Sequence, residues 1–287
     1  MKPLLPGDRI RIVAPSGPVP KETFERGIAR LQARYQLDFS ARIFEQQGFL
    51  AGSDAARRDE LQQAFDDDSI QAIWCARGGY GLMRILPDLD ATKLLRAPKP
   101  VIGFSDVTAL HGYLAKLGLP SVHGPVATQL ATLAESDVQA LCDLLEGRPA
   151  RLSGLETVTA GVCEGPLLGG NLELVSRLLG TPWAFDLTGA ILLVEEVGER
   201  PYRVDRALTQ LHLAGALTRL AGVVLGDFTD CQDERPPSVQ AVVRERLLRL
   251  SVPMVAEAPV GHGPRNRALW IGRRAKLDAT AGRLELG

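Results

Sequence analysis

Apolar residues change their spacing repeatedly along the first half of the chain, and the changes predict alternating strands and helices. Arg9–Ala14 is a short β-rich run closed by the turn cluster Pro15-Ser16-Gly17-Pro18. Phe24, Ile28 and Leu31 then recur at spacings of four and three, one face of a helix. A second strand is expected around Leu37–Ile43, followed by a charged helix over Ser53–Phe65 that turns Leu61 and Phe65 inward. Ile70–Ala76 predicts a third strand, which stops at Arg77-Gly78-Gly79-Tyr80-Gly81 before a helix carrying Leu82, Ile85 and Leu86. Pro100–Gly103 predicts a fourth, turning at Phe104-Ser105 into a helix with Val107, Leu110, Leu114 and Leu117 on one face. This βαβα rhythm implies a parallel sheet covered by helices, with ligands bound at the carboxyl ends of its strands.

The pattern weakens over Leu145–Val162, where Gly147, Pro149, Gly154 and Gly161 punctuate the chain. The expected organisation is therefore an α/β domain over residues 1–148, a connection over 149–164 and a second domain over 165–287. Within the last of these, Ala190–Val194, Ala221–Leu225 and Met254–Ala258 predict buried strands, and Val204–Leu213 and Val239–Leu250 predict helices. Ala275–Leu286 predicts a hairpin turning at Ala281-Gly282.

Composition narrows the function classes. The 33 basic and 34 acidic residues leave a net charge of −1 and are interspersed, so neither a nucleic-acid stripe nor an acidic tail is expected. The longest apolar runs fall far short of the roughly 20 residues of a membrane span. The N-terminal residues show no apolar signal core, so a cytoplasmic protein is expected. Cys75, Cys142, Cys163 and Cys231 are widely spread, with no C-x-x-C pair. They read as small buried thiols, with Cys231 in a polar stretch as the one expected to be exposed, and neither metal nor cofactor is expected.

Four places carry chemistry. In Gly103-Phe104-Ser105-Asp106-Val107 a glycine stands two residues before a serine between a strand and a helix, the pattern of a nucleophile elbow with Val107 in place of its last glycine. Alone, the segment serves equally as a helix N-cap. Arg77-Gly78-Gly79-Tyr80-Gly81 matches neither G-x-G-x-x-G nor a P-loop and reads better as an oxyanion donor, because loops after adjacent parallel strands share one edge. Of four histidines, His111 and His212 fall on helices as packing or surface residues. His262, between Gly261 and Gly263, is the better candidate base, and His123 is second. The run Ala190–Val194 ends in Glu195-Glu196, a pair of which one carboxylate could orient that base, and the order Ser, acid, His is that of α/β-hydrolases.

Together these segments resemble the L,D-carboxypeptidases, serine peptidases that include muramoyl-tetrapeptide carboxypeptidases and the microcin C immunity hydrolases. The resemblance extends over almost the whole chain, from Pro6-Gly7-Asp8 and Ala14-Pro15-Ser16-Gly17 through Leu50-Ala51-Gly52-Ser53 and His123-Gly124-Pro125. It continues in Gly169-Gly170-Asn171-Leu172, Gly180-Thr181-Pro182, Pro201-Tyr202-Arg203-Val204-Asp205-Arg206 and Gly261-His262-Gly263. It implies a flavodoxin-like N-terminal domain with a smaller β-rich C-terminal domain, in a protein that is usually a dimer. By the same resemblance Ser105 is the nucleophile, His262 the base and Glu195 the acid, with the backbone N–H groups of Gly79 and Asp106 as oxyanion donors. Glu196 stands where the family usually has Asp.

The implied substrate is a cytoplasmic murein tetrapeptide losing its terminal D-alanine. Arg203, Arg206 and Arg265 are candidates to clamp the terminal carboxylate. One alternative within the family is an immunity hydrolase acting on an aminoacyl-nucleotide, with Trp183 or Trp270 stacking the base. An alternative of another class is a non-catalytic two-lobed binding module, which fold alone does not distinguish.

Overall fold

The apolar runs of the first half become five strands of one sheet in the computed structural model, which describes residues 1–286. Arg9–Val13, Gln36–Asp38, Ala72–Cys75, Val101–Gly103 and Ser121–His123 are all parallel and stand in the spatial order 2-1-3-4-5. That is the flavodoxin order, whose binding edge lies beyond the strands' carboxyl ends. Helices Lys21–Ala29, Asp54–Asp66 and Thr108–Lys116 connect successive strands of this sheet, and Glu135–Leu145 follows the fifth. The second of these starts where the polar pattern predicts, at Ser53, whose hydroxyl accepts from the Ala56 N–H at 3.2 Å. Such a cap is worth about 1 kcal/mol. The strand expected over Leu37–Ile43 is shorter. Ser40 takes the Arg42 N–H and starts a 3-10 turn over Ala41–Phe44, which lets Phe44 pack edge-on against Phe24.

The second sheet has eight strands, and its centre is also parallel. Val162–Asn171, Ile191–Val197, Gly222–Thr229 and Met254–Ala256 run side by side. Antiparallel strands flank them on both sides, including the predicted C-terminal hairpin Arg274–Asp278 with Arg283–Leu286. The stretch 149–164 holds strands Ala150–Ser153 and Glu156–Thr159 and the start of a third, and it joins both edges of this sheet. Its partners lie about a hundred residues away in sequence, so no local pattern announced them. Cys231 is buried, with its thiol against the Thr229 carbonyl, because the polar residues around it point outward. No helix among the described residues is long and apolar enough to cross a membrane.

One strand belongs to the wrong half of the sequence. Leu269–Ile271, from the C-terminal region, pairs antiparallel with Ser121–His123 and becomes the sixth strand of the first sheet. The chain between Met254 and Leu269 therefore passes from one sheet to the other.

His111 lies fully buried on the helix Thr108–Lys116. Its Nε2 is 3.0 Å from the Gly103 carbonyl, which can only accept, so the proton sits on Nε2. Nδ1 then accepts from the Ser121 hydroxyl at 2.8 Å. Burial pushes the His111 pKa down from 6.5 to about 4. A depressed base contributes stability above its unfolded value and loses it as pH falls through the folded one. Thermal unfolding followed against pH should show the melting temperature dropping between about pH 6.5 and pH 4, with a shallower slope in His111→Gln. Parallel curves would show that His111 does not carry the acid sensitivity.

Candidate active site

Two turns meet at the carboxyl edge of the first sheet, because the strands that feed them, Ala72–Cys75 and Val101–Gly103, are adjacent and parallel. After the second strand the backbone reverses at Ser105 with φ of +65°, a left-handed conformation that a non-glycine residue adopts only under constraint. This strained turn opens a 3-10 segment, Ser105–Val107, leading into the helix Thr108–Lys116. Glycine is required beneath it. A Cβ on Gly103 would lie 2.9 Å from the Val107 side chain, and one on Gly78 would lie 2.8 Å from the Ser105 Cβ. The glycine turn thus lies directly against the serine, with Gly79 exposed at φ of +115°. The two turns are bonded together, since the buried Asp106 carboxylate accepts the Leu82 N–H at 3.0 Å. Burial raises the Asp106 pKa, while the hydrogen bond from the Leu82 N–H pulls it down.

The second sheet supplies a buried carboxylate and the histidine beside it. Ile191–Val194 is fully buried, and the strand carries two carboxylates into the same depth. An uncompensated buried carboxylate costs several kcal/mol, so each needs donors. Adjacent residues on a strand point to opposite faces, and the two solve the problem differently. Glu196 accepts from Asn171 Nδ2 at 2.7 Å and from the backbone N–H groups of Glu173 and Val197, and burial raises its pKa to about 7. Glu195, with no exposed side-chain surface, faces His262 instead, with Oε2 2.7 Å from Nδ1. Its Oε1 meets no protein donor among the described residues. A carboxylate on Nδ1 holds that proton there and leaves Nε2 free to accept one.

Space for this pair is made by glycine. A Cβ on Gly261 would lie 2.7 Å from Glu195 Oε2, and Gly261 has φ of +127°. His262 is also packed by Phe104, the residue before Ser105, with ring centroids 4.6 Å apart. Ser105 and His262 thus approach through Phe104, and no hydrogen bond joins them among the described residues. Such bonds are commonly loose without substrate. His123, the second candidate base, is fully buried beside Phe104, and burial holds its pKa well below the ordinary value.

The three arginines are dispersed. Arg265 is engaged by the buried Asp137 at 3.0 Å. Arg203 and Arg206 lie exposed on the helix Pro201–Leu213, where Arg203 bonds Tyr202 and Glu199 and Arg206 stands over the Tyr202 ring. Several residues around the pair had no local signal. Asp227 is half-buried beside the His262 loop, its pKa raised by burial and by Glu195 and lowered by the Gly263 N–H and His262. Gln129 and Asp137 come from distant segments and Asn266 lies four residues past His262, whereas Asn171 stood in the Gly169-Gly170-Asn171-Leu172 motif.

A serine at a strained strand-to-helix turn on one sheet, and an acid–histidine pair at the edge of another, make this a two-unit α/β enzyme. Residues 10–124 match the LD-carboxypeptidase N-terminal domain and residues 164–277 the LD-carboxypeptidase C-terminal domain. The chain belongs to the LD-carboxypeptidase family and is a serine-type carboxypeptidase, a hydrolase. It is 40% identical to a putative carboxypeptidase of Synechocystis sp. over 98% of this chain and 95% of that one. It is 34% identical to the murein tetrapeptide carboxypeptidase of Pseudomonas aeruginosa, over 94% and 93%. The crystal structure of muramoyltetrapeptide carboxypeptidase from Oxalobacter formigenes superposes with a TM-score of 0.88 at 31% identity, over 96% and 99% of the two chains. The microcin C7 self immunity protein superposes at 0.92 with 22% identity, over 99% and 97%, a likeness of fold.

Adding one methyl group at Gly261 would both strain the backbone and push Glu195 away. Gly261→Ala should lower kcat by about 10²-fold or more, the scale expected when a base is misplaced by an ångström. Circular dichroism should still report a folded chain. Turnover unchanged in a folded variant would show that this contact does not set the acid–histidine geometry.

Proposed function

We propose that the protein removes the terminal D-alanine from murein tetrapeptides in the cytoplasm, with Ser105 as nucleophile, His262 as base and Glu195 as acid. The observation that carries this reading is the 2.7 Å contact between His262 Nδ1 and a fully buried Glu195. Kinship with carboxypeptidases named for murein peptides supports this substrate. Ser105 Oγ attacks the carbonyl of the L,D bond while His262 Nε2 takes its proton. The oxyanion meets the N–H groups of Gly79 and Asp106. His262 then passes the proton to the departing D-alanine amine, leaving an acyl-serine. Water activated by His262 hydrolyses the ester, frees the tripeptide and restores Ser105. Glu195 stabilises the imidazolium in both halves without taking its proton. Of the three candidate arginines, Arg265 is paired with Asp137 and Arg203 with Glu199, so Arg206, on the helix that follows the Glu195 strand, suits the terminal carboxylate best. A homodimer is the proposed working form.

The aminoacyl-nucleotide alternative needs an aromatic ring free to stack on a base. Trp270 is buried with Arg273 3.8 Å over its ring, and Trp183 packs against the core. Neither tryptophan is well placed to stack, whereas the rings of Tyr80, in the glycine turn, and Phe49 beside it are exposed.

Three comparisons on a D-alanine-terminated tetrapeptide check the proposal. Ser105→Ala should lose several orders of magnitude in kcat with its fold retained, because triad members act as a unit. Glu195→Gln should be severely impaired while Glu196→Gln keeps most activity, and the reverse ranking would move the acid to Glu196. The free-acid peptide should have a far higher kcat/KM than its C-terminal amide, since an unpaired clamping arginine is costly. Equal values would remove the carboxylate clamp and leave a broader amidase.

A further inference from the structure

His262 hangs from Gly261, whose backbone torsions are the least restricted of any residue type. A base carried on such a hinge would not hold an orientation by itself, yet both faces of Gly261 are bonded. Its N–H donates to Asn266 Oδ1 at 3.1 Å, and its carbonyl accepts from Gln129 Nε2 at 3.2 Å. The two side chains close the ring, with Asn266 Nδ2 donating to Gln129 Oε1 at 2.8 Å. The amide orientations are forced. The Gly261 N–H can only donate, so Asn266 must present oxygen to it and nitrogen to Gln129, which then must turn its own nitrogen to the Gly261 carbonyl. Asn266 is fully buried and Gln129 partly so.

The two amides come from segments 137 residues apart in sequence. Asn266 lies four residues past the base, on the chain that crosses between the sheets. Gln129 opens a 3-10 turn, Gln129–Ala131, just after the fifth strand of the first sheet. A second tie runs in the same direction, from Arg265 and Arg267 to the buried Asp137 on the helix Glu135–Leu145. The loop that carries the base is therefore anchored to the unit that carries Ser105.

We infer that Gln129 and Asn266 are positioning residues, a paired amide clamp on Gly261 that sets His262 against Ser105 across the junction of the two units. This rests on His262 being the base. The clamp touches no reacting atom, and it acts by fixing the two peptide planes that flank Gly261, the second of which leads into His262. A misplacement of about an ångström costs on the order of 10²-fold in rate without weakening substrate binding.

The test uses the full chain and a D-alanine-terminated tetrapeptide, comparing His262→Ala, Asn266→Ala, Gln129→Ala and the double variant at 129 and 266. Asn266→Ala should lower kcat by about 10²-fold with KM within about threefold. Gln129→Ala should follow in the same direction, and the double variant should be little worse than Asn266→Ala alone, because the pair acts as one device. Labelling of Ser105 by a phosphonyl fluoride should slow in parallel with kcat, a readout that lost stability alone would not move. Asn266→Asp, which keeps the acceptor for the Gly261 N–H, should recover part of the rate lost in Asn266→Ala. If the buried Asn266 variants do not fold, the partly exposed Gln129→Ala carries the same test on kcat and labelling. Wild-type kcat and labelling in folded Gln129→Ala and Asn266→Ala, beside an inactive His262→Ala, would overturn the clamp and leave the site reading intact. An active His262→Ala would overturn the site reading itself.

Discussion

The antiparallel pairing of Leu269–Ile271 with Ser121–His123 binds the C-terminal chain into the first sheet, and the geometry of the site depends on it. Ser105 stands at the edge of one sheet and Glu195 at the edge of another, so a rigid path must connect them. The return strand is that path. It brings the loop 261–267 to the fifth strand of the first sheet, where Gln129 and Asp137 hold it. Without the return strand, His262 would move with the second sheet alone.

Electrostatics and packing at the junction are solved together. Two carboxylates are buried at the end of one apolar strand, and the alternation of side chains sends them to different tasks. Glu196 takes three donors around Asn171 and anchors the helix Leu172–Arg177 to the strand end. Glu195 keeps its attention on one imidazole nitrogen. Gly261 and Gly226 leave room for it, since a Cβ on either would press on the Glu195 side chain. Glycines that appear as loop residues in the sequence are thus parts of the carboxylate's packing.

On the opposite side, the serine turn is held by groups that also serve the core. His111 and the Gly124 N–H both donate to the Gly103 carbonyl, and Asp106 bonds the start of the helix after the glycine turn. The positive φ of Ser105 persists because these contacts over-determine the turn around it.

Local sequence pattern by itself determined the alternating strands and helices of the first sheet, the helix that begins at Ser53, the C-terminal hairpin and the turn at Ser105. Each depends on periodicity, capping or glycine placement within a few residues, and such forces are written in neighbouring positions. The glycine-flanked His262 and the acidic strand end were legible for the same reason. Which of Glu195 and Glu196 meets the imidazole followed from local pattern only through family resemblance; spatially it depends on strand register against Asn171 and Gly226. The strands within 149–164, the sixth strand of the first sheet and the Gln129–Asn266 bond were decided by tertiary structure alone. Their partners are separated by about a hundred residues or more, and a side-chain amide reads the same in sequence whether it faces water or a distant backbone.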